Sequence, residues 1–574
     1  MRGCRFSLPE ILLLVLISLI AKCDSNSLAE DVFCSESGYY KYNNVEKVWW
    51  KLTSNYLLNM SSPAELEKIS SCENKLTSRL LEKAGSNHND TPAKLRFPTV
   101  VKPEISVVIA YYKNRMATYF ALESVLKTTS SKISYEIILV DDCSPEENEF
   151  PWKLEEIVEN IIYYRNPTNL GFLLSMNTGF SYATGEYIAI LNNDIIVDEL
   201  WLETLLKTFT DFENVGLVGS KMVSPQGLLG EACSIVFSDG TPWNVGKRED
   251  EGSPLYNFVR EVEYCSAAAV LVDRSALSML GGFDEVYVPA YYEDTDLCFG
   301  LRKLGKRILY QPFASVTHYE SLSYGGDEGA VSTEKSKLMS RNKNVFLSKW
   351  EKDFPKLHSP GTPIQIAKVH PRESGKRILI IEVAFMTPDQ DSGSLRLLYM
   401  MQLMLRLGHH VGYFNVDFTD HPMWRPNLQR MGVEVFYWPH FYTIAQIANL
   451  VTDFDIIIIA RPQGMDAYFS GFKAGCPNSF IVYDTVDLHF LREERLKALM
   501  SDRVENELML TSPGEVTFSE DIRNKELDYI RKADLSIVVS DYEKKLLQEL
   551  VPTARIEILS NVHEVCYLRN EASQ

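Results

Sequence analysis

Ile105–Asn114 reads ISVVIAYYKN, Glu136–Ser144 reads EIILVDDCS, and Gly185–Asp194 reads GEYIAILNND. Each is a short, almost continuous apolar run that ends in a polar cluster, the pattern expected of a strand buried on both faces. Between them lie helical stretches at Ala121–Lys127 and Leu173–Tyr182, and a further short strand at Ile161–Tyr164. Apolar strands separated by helices predict an α/β fold with a mostly parallel open sheet. Ligands of such sheets sit beyond the carboxyl ends of the strands, so the residues directly after each run are the ones expected to carry chemistry. Here those are YYKNR, then Asp141-Asp142-Cys143-Ser144, then RNPTNLGF after Tyr164, then Asn192-Asn193-Asp194.

Further along, LHSPGTPIQIAKVHPRESGK at 357–376 breaks the pattern with prolines, glycines and charges, which predicts a linker. A second alternating series follows, with strands expected at Ile378–Val383, Val411–Val416, Asp455–Ala460, Phe480–Tyr483, Leu535–Val539 and Arg555–Leu559. The 574 residues, at roughly 150 per domain, imply two to four units. The divisions expected are a signal peptide at 1–23, a helical and polar lead at 24–100, a first α/β unit at 101–355, the linker at 356–376 and a second α/β unit at 377–574.

A net charge of −19 argues against a nucleic-acid partner, because binding a polyanion needs clustered Lys and Arg. Arg2 and Arg5 precede the apolar run Ile11–Ala21, and polar residues follow it, the order of a secretory signal peptide. The run is too short to span a bilayer comfortably, so no transmembrane span is expected in the mature chain, and the body is expected in the secretory lumen (endoplasmic reticulum or Golgi) or outside the cell. Ten cysteines are spread along the chain without a CxxC pair, Cys34 and Cys72 being plausible disulfide partners. Two sequons, at Asn59 and Asn89, could carry glycans there.

Between Pro289 and His318 the chain reads PAYYEDTDLCFGLRKLGKRILYQPFASVTH. Adjacent carboxylates, Glu293 and Asp294, stand ahead of a helix, and one histidine ends the strand after it. Asp296 and Arg302 on that helix are expected to form an ordinary helical salt bridge. Taken in order, SVVIAYYKN, EIILVDDCS, NLGFLLSMNTGF, GEYIAILNND, GGFDE and EDTDLC resemble glycosyltransferase family 2, the inverting GT-A fold, over roughly residues 104–350.

The resemblance implies a nucleotide-sugar donor and a glycan, protein or lipid hydroxyl as acceptor. Asp141 or Asp142 would accept a hydrogen bond from the nucleotide base, the plainer alternative being an Asx turn. Ala110, Tyr112, Asn169, Gly171, Asn177 and Asn193 would line the donor. Asn192-Asn193-Asp194 resembles the family's DXD motif, with Asn192 in place of the first carboxylate. Asp194 would then hold Mn²⁺ or Mg²⁺ against the diphosphate, with His318 completing the shell and Asn192 as a further candidate. Asp294 would be the general base and Glu293 its helper; Asp284 would contact the acceptor or simply cap.

In the second unit, VAFMTPDQDSGSLRLLYMMQLMLRLGHHVGYF is similar to the N-terminal half of a GT-B glycosyltransferase (family 4-like), which implies an acceptor-binding, scaffolding or degenerate module lacking the donor-binding half. Its Asp391-Ser392-Gly393-Ser394 turn is either an anion cradle or a tight strand-to-helix turn. A non-catalytic glycan-binding or scaffold protein on the same fold remains the alternative. A sugar nucleotidyltransferase would want a glycine-rich loop after the first strand, and AYYKNR has no glycine.

Overall fold

The computed structural model describes residues 92–145, 152–319, 328–352, 375–441, 454–504 and 518–560, together with Thr443 and Gln446. The expected signal peptide, both sequons, Cys34, Cys72 and almost all of the expected linker lie outside the described residues.

The first unit is built on a ten-stranded mixed sheet. Its strands are β1 (Ile105–Tyr111), β2 (Tyr135–Asp141), β3 (Ile162–Arg165), β4 (Tyr187–Leu191), β5 (Ile195–Val197), β6 (Val215–Val223), β7 (Leu229–Glu231), β8 (Arg260–Glu261), β9 (Ala269–Asp273) and β10 (Arg307–His318). The spatial order is β8-β10-β6-β9-β4-β1-β2-β3, with β5 added against β10 and β7 against β6. The β4-β1-β2-β3 half is parallel, as expected. β9 runs antiparallel to both β4 and β6. Helices α1 (Arg115–Thr128), α2 (Phe172–Tyr182), α3 (Trp201–Asp211), α4 (Arg274–Leu280), α5 (Glu293–Lys303) and α6 (Glu328–Trp350) surround it.

Alternation along the strands divides the interior into two layers. Val108, Ile138, Ile190 and Val270 pack on one face, while Val107, Ile137, Ala189 and Leu271 pack on the other. Both faces being covered explains why the central runs are apolar without alternation. Gly179 lets α2 lie directly on the sheet: a Cβ there would stand 2.3 Å from Val108 Cγ1, inside any real contact distance.

A seven-stranded, wholly parallel sheet forms the second unit: β11 (Arg377–Glu382), β12 (His410–Asn415), β13 (Val433–Val435), β14 (Ile456–Ala460), β15 (Phe480–Asp484), β16 (Leu535–Val538) and β17 (Ile556–Ile558), in the order β13-β12-β11-β14-β15-β16-β17. It carries helices α7 (Ser392–Arg406), α8 (Trp424–Met431), α9 (Arg461–Gly475), α10 (His489–Val504), α11 (Phe518–Lys532) and α12 (Asp541–Leu550). The six strands expected from sequence are there, and β13 is added at the edge.

The two units touch through β8 and its flank. Val259 N donates to Gln429 O at 2.9 Å, the Phe258 ring meets His410 at a centroid distance of 5.9 Å, and the buried Arg260 lies within electrostatic reach of the buried Glu434. Among the described residues no helix is long and apolar enough to cross a membrane.

Candidate active site

The turn after β4 and the end of β10 meet because β5 pairs with β10, aligning Ile195 with His318. Asp194 is thereby set beside the imidazole: His318 Nε2 and Asp194 Oδ1 are 3.4 Å apart, and both residues are largely buried. Asn192 donates its amide to Ala268 O at 2.8 Å, and its side-chain Oδ1 is buried without a hydrogen-bond partner among the described residues. Asn193 turns the other way, its Nδ2 donating to Thr118 Oγ1 on α1 at 3.1 Å.

Glu293 and Asp294 open α5, where free backbone N–H groups and the helix dipole favour negative charge. The turn into the helix holds two successive non-glycine residues in the left-handed region, Tyr291 at φ 75° and Tyr292 at φ 74°, which costs about 1–2 kcal/mol for each. Asn342 on α6, fully buried, spends its side-chain amide on that turn. Its Nδ2 lies 3.1, 2.9 and 2.8 Å from the carbonyls of Tyr287, Ala290 and Tyr291.

Asp294 Oδ1 accepts from Thr295 N at 2.7 Å and Thr295 Oγ1 at 3.2 Å, and the Ala267 amide nearby also favours its charged form. Burial nevertheless raises its pKa above the usual carboxylate range. Glu293 is 6% exposed and its Oε2 has no partner among the described residues. Burial first, and the charge of Asp294 second, push its pKa up and favour the protonated form.

Asp296 departs from the helical salt bridge expected of it. It accepts instead from Tyr287 Oη at 3.0 Å, Lys349 Nζ at 2.8 Å and Trp350 Nε1 at 2.7 Å, pinning α5 to α6. Arg302 lies over the Phe299 ring, 5.1 Å from its centroid. Asp284 caps the turn it opens, accepting from Val286 N, and also pairs with Lys349 at 2.8 Å.

On the donor side both carboxylates after β2 are buried and engaged. Asp141 accepts from Ser144 N at 2.8 Å, an Asx-type turn, from Tyr163 Oη at 3.1 Å and from Arg165. Asp142 clamps the next loop, accepting from Asn166 Nδ2 at 2.9 Å, Leu170 N at 2.7 Å and Gly171 N at 2.8 Å. Gly171 stands at φ 84°, and a Cβ there would press on Pro289 Cβ at 3.0 Å, so only glycine lets this loop close against the segment before α5. Asn177 makes a two-way bond with the backbone of Phe283, N–H to Oδ1 at 2.9 Å and Nδ2 to O at 2.8 Å. Ala110 is buried in β1, whereas Tyr112 and Asn169 are exposed.

Glu231, Asn342 and Lys349 bear on this site although the sequence did not single them out. Each is a lone polar residue without motif or periodicity, so only the fold reveals its partner. Asn342→Ala should leave three carbonyls of the strained turn without their donor, lowering unfolding stability by about 1–3 kcal/mol, as measured by urea denaturation; an unchanged midpoint would show that the turn holds itself.

A disulfide joins Cys233 to Cys265, and Cys143 and Cys298 are free thiols; the expected pair, Cys34 and Cys72, lies outside the described residues. In the second unit the Asp391 carboxylate itself caps α7, accepting from Ser394 N at 2.8 Å and Ser394 Oγ at 2.6 Å. That agrees with a tight strand-to-helix turn, and it puts a negative charge where an anion would have to sit.

The chain is similar over part of its length to known proteins. The Pre-mycofactocin glycosyltransferase of Mycobacterium tuberculosis (strain CDC 1551 / Oshkosh) is 31% identical over 187 residues, 32% of this chain and 37% of that protein. The N-acetylglucosaminyl-diphospho-decaprenol L-rhamnosyltransferase of the same strain is 27% identical over 176 residues, 28% of this chain and 54% of that protein. Among solved structures, GalNAc-T7 with UDP, GalNAc and Mn²⁺ aligns at 18% identity with a TM-score of 0.37, covering 44% of this chain and 50% of that one. The chain therefore spans about half or less of the length of each. Residues 106–248, which hold β1 through β7 and Asn192–Asp194, match the family described as Glycosyl transferase family 2, and a domain of that family lies there.

Proposed function

We propose that the chain transfers a glycosyl group from a nucleotide-diphosphate sugar to an acceptor hydroxyl with inversion, Asp294 serving as general base. The observation that carries this reading is the carboxylate at the mouth of α5: Asp294 is partly exposed, has a raised proton affinity, and faces Ala267, whose neighbour Ala268 is hydrogen-bonded to the Asn192–Asp194 turn. In a single displacement the acceptor oxygen attacks the anomeric carbon, the bond from that carbon to the diphosphate oxygen breaks, and Asp294 takes the hydroxyl proton. Glu293, in its protonated form, can donate a hydrogen bond to the acceptor or to Asp294 without adding a second negative charge.

The donor set suits a divalent cation. One carboxylate and one imidazole, Asp194 and His318, face each other at 3.4 Å, with the unsatisfied Asn192 Oδ1 in the same turn, and the nitrogen ligand favours Mn²⁺ over Mg²⁺. When bound, the ion would offset the charge that develops on the leaving diphosphate. Among the described residues there is no cluster of three His, Cys, Asp or Glu that could hold it alone, so diphosphate oxygens and water would complete its shell. The Cys233–Cys265 disulfide supports an oxidising compartment, in keeping with a secretory placement. The second unit, docked on the first at β8, we read as an acceptor-side or scaffolding module.

Nucleotide release by the full chain, assayed against UDP-, GDP- and dTDP-sugars with Mn²⁺, tests the reading. Release from one donor that stops when EDTA is added is the expected outcome. Folded protein that releases nucleotide from none of them would turn the assignment toward a non-catalytic glycan-binding protein.

A further inference from the structure

Four consecutive residues ahead of β9 are held one by one from different parts of the first unit. Cys265 is covalently tied to Cys233. The Ser266 amide donates to Glu231 Oε1 at 3.1 Å, the Ala267 amide lies close enough to the Asp294 carboxylate to stabilise its charge, and the Ala268 carbonyl accepts from Asn192 N at 2.8 Å. This short segment is thus the physical bridge between the carboxylate that takes the proton and the turn that carries Asp194.

Glu231 ends β7, two residues before the disulfide partner Cys233, and is 4% exposed. It lies within electrostatic reach of both Asp294 and His318. Burying a carboxylate this deeply works against folding unless it does something in return, and the transfer chemistry described above gives it no task. Its partners do: the residue beside Ser266 is the one whose amide faces Asp294.

We propose that Glu231 is a positioning residue for glycosyl transfer, holding the Cys265–Ala268 segment so that Asp294 stands at a fixed place relative to the Asn192–Asp194 turn. The inference rests on Asp294 being the base. Glu231 acts through the backbone and touches no reacting atom, so the turnover rate should respond to its removal much more than donor binding does. What matters is a hydrogen-bond acceptor at the Oε1 position, and glutamine supplies one in the same place. The shorter aspartate would not reach.

The test compares the full-length wild-type chain with Glu231→Ala, Glu231→Gln and Glu231→Asp, each checked for a cooperative melting transition. For the donor that wild type uses, kcat should fall at least tenfold in Glu231→Ala and Glu231→Asp with KM within about twofold, and Glu231→Gln should recover most of the loss. A Glu231→Ala protein with wild-type kcat overturns the proposal. So does a Glu231→Gln protein as impaired as Glu231→Ala, since charge rather than position would then be the contribution. Backbone amide exchange over 265–268, read by mass spectrometry without any donor, separates this inference from the functional reading. Faster exchange there in Glu231→Ala supports Glu231 as the holder even if wild type uses no donor tested, and unchanged exchange refutes it.

Discussion

Asp294→Asn lowers the turnover rate by about 10²- to 10⁴-fold, the usual contribution of a general base, while donor affinity and melting temperature stay near wild type. The amide keeps the shape and its oxygen still accepts from Thr295, but it cannot take up the acceptor proton. Folding should not suffer, because the substitution removes a negative charge beside the buried Glu293 and Glu231. A pH profile adds a second check. The base works only when deprotonated, and burial raises the pKa of Asp294, so wild-type kcat/KM should fall with acid from a higher pH than an ordinary aspartate would dictate. The residual rate of Asp294→Asn should lack that limb. Full activity in this variant, at saturating donor, would remove Asp294 from the mechanism.

The largest loss of stability is expected in the second unit. Arg396 on α7 is 1% exposed, its Nη1 pairs with Asp484 Oδ2 at 2.7 Å, and its Nε donates to Leu559 O at 3.0 Å. Those contacts tie the helix after β11 to the ends of β15 and β17. Arg396→Ala strands the Asp484 carboxylate in the interior, and breaking a buried pair from one side costs about 3–5 kcal/mol. Urea unfolding followed by probes in the second unit measures it. Adding Asp484→Asn should restore part of the loss, because the stranded charge is then gone. A shift below about 1 kcal/mol for Arg396→Ala would mean that water reaches Asp484.

Much of the fold could be read from the chain because strands buried on both faces announce themselves as apolar runs. Ile105–Tyr111, Tyr187–Leu191 and Ile456–Ala460 were legible on that basis nearly to the residue. Direction was not. The run in β9 looks like that in β4, yet β9 lies antiparallel between β4 and β6, and nothing in an apolar run records which way its neighbours point. Local motifs likewise marked the strand tips but not what their side chains hold. Asp142 stands where a ligand-binding carboxylate was expected, and the structure shows it spending both oxygens on the loop 166–171. Glu231 and Asn342 were illegible for the opposite reason: their partners, Ser266 and the turn at 287–291, lie 35 and more than 50 residues away.

The docking of the second unit on β8 also shields the first from its own kind. β8 is one of the two outermost strands of the ten-stranded sheet, and an outermost strand offers a row of backbone groups on which a second molecule can align and polymerise. Here the approach is blocked beside the strand, where Val259 N is already committed to Gln429 O and the buried Phe258 ring lies against His410 of the neighbouring unit. The second unit thus closes off one of the two edges along which the first could be extended by another strand.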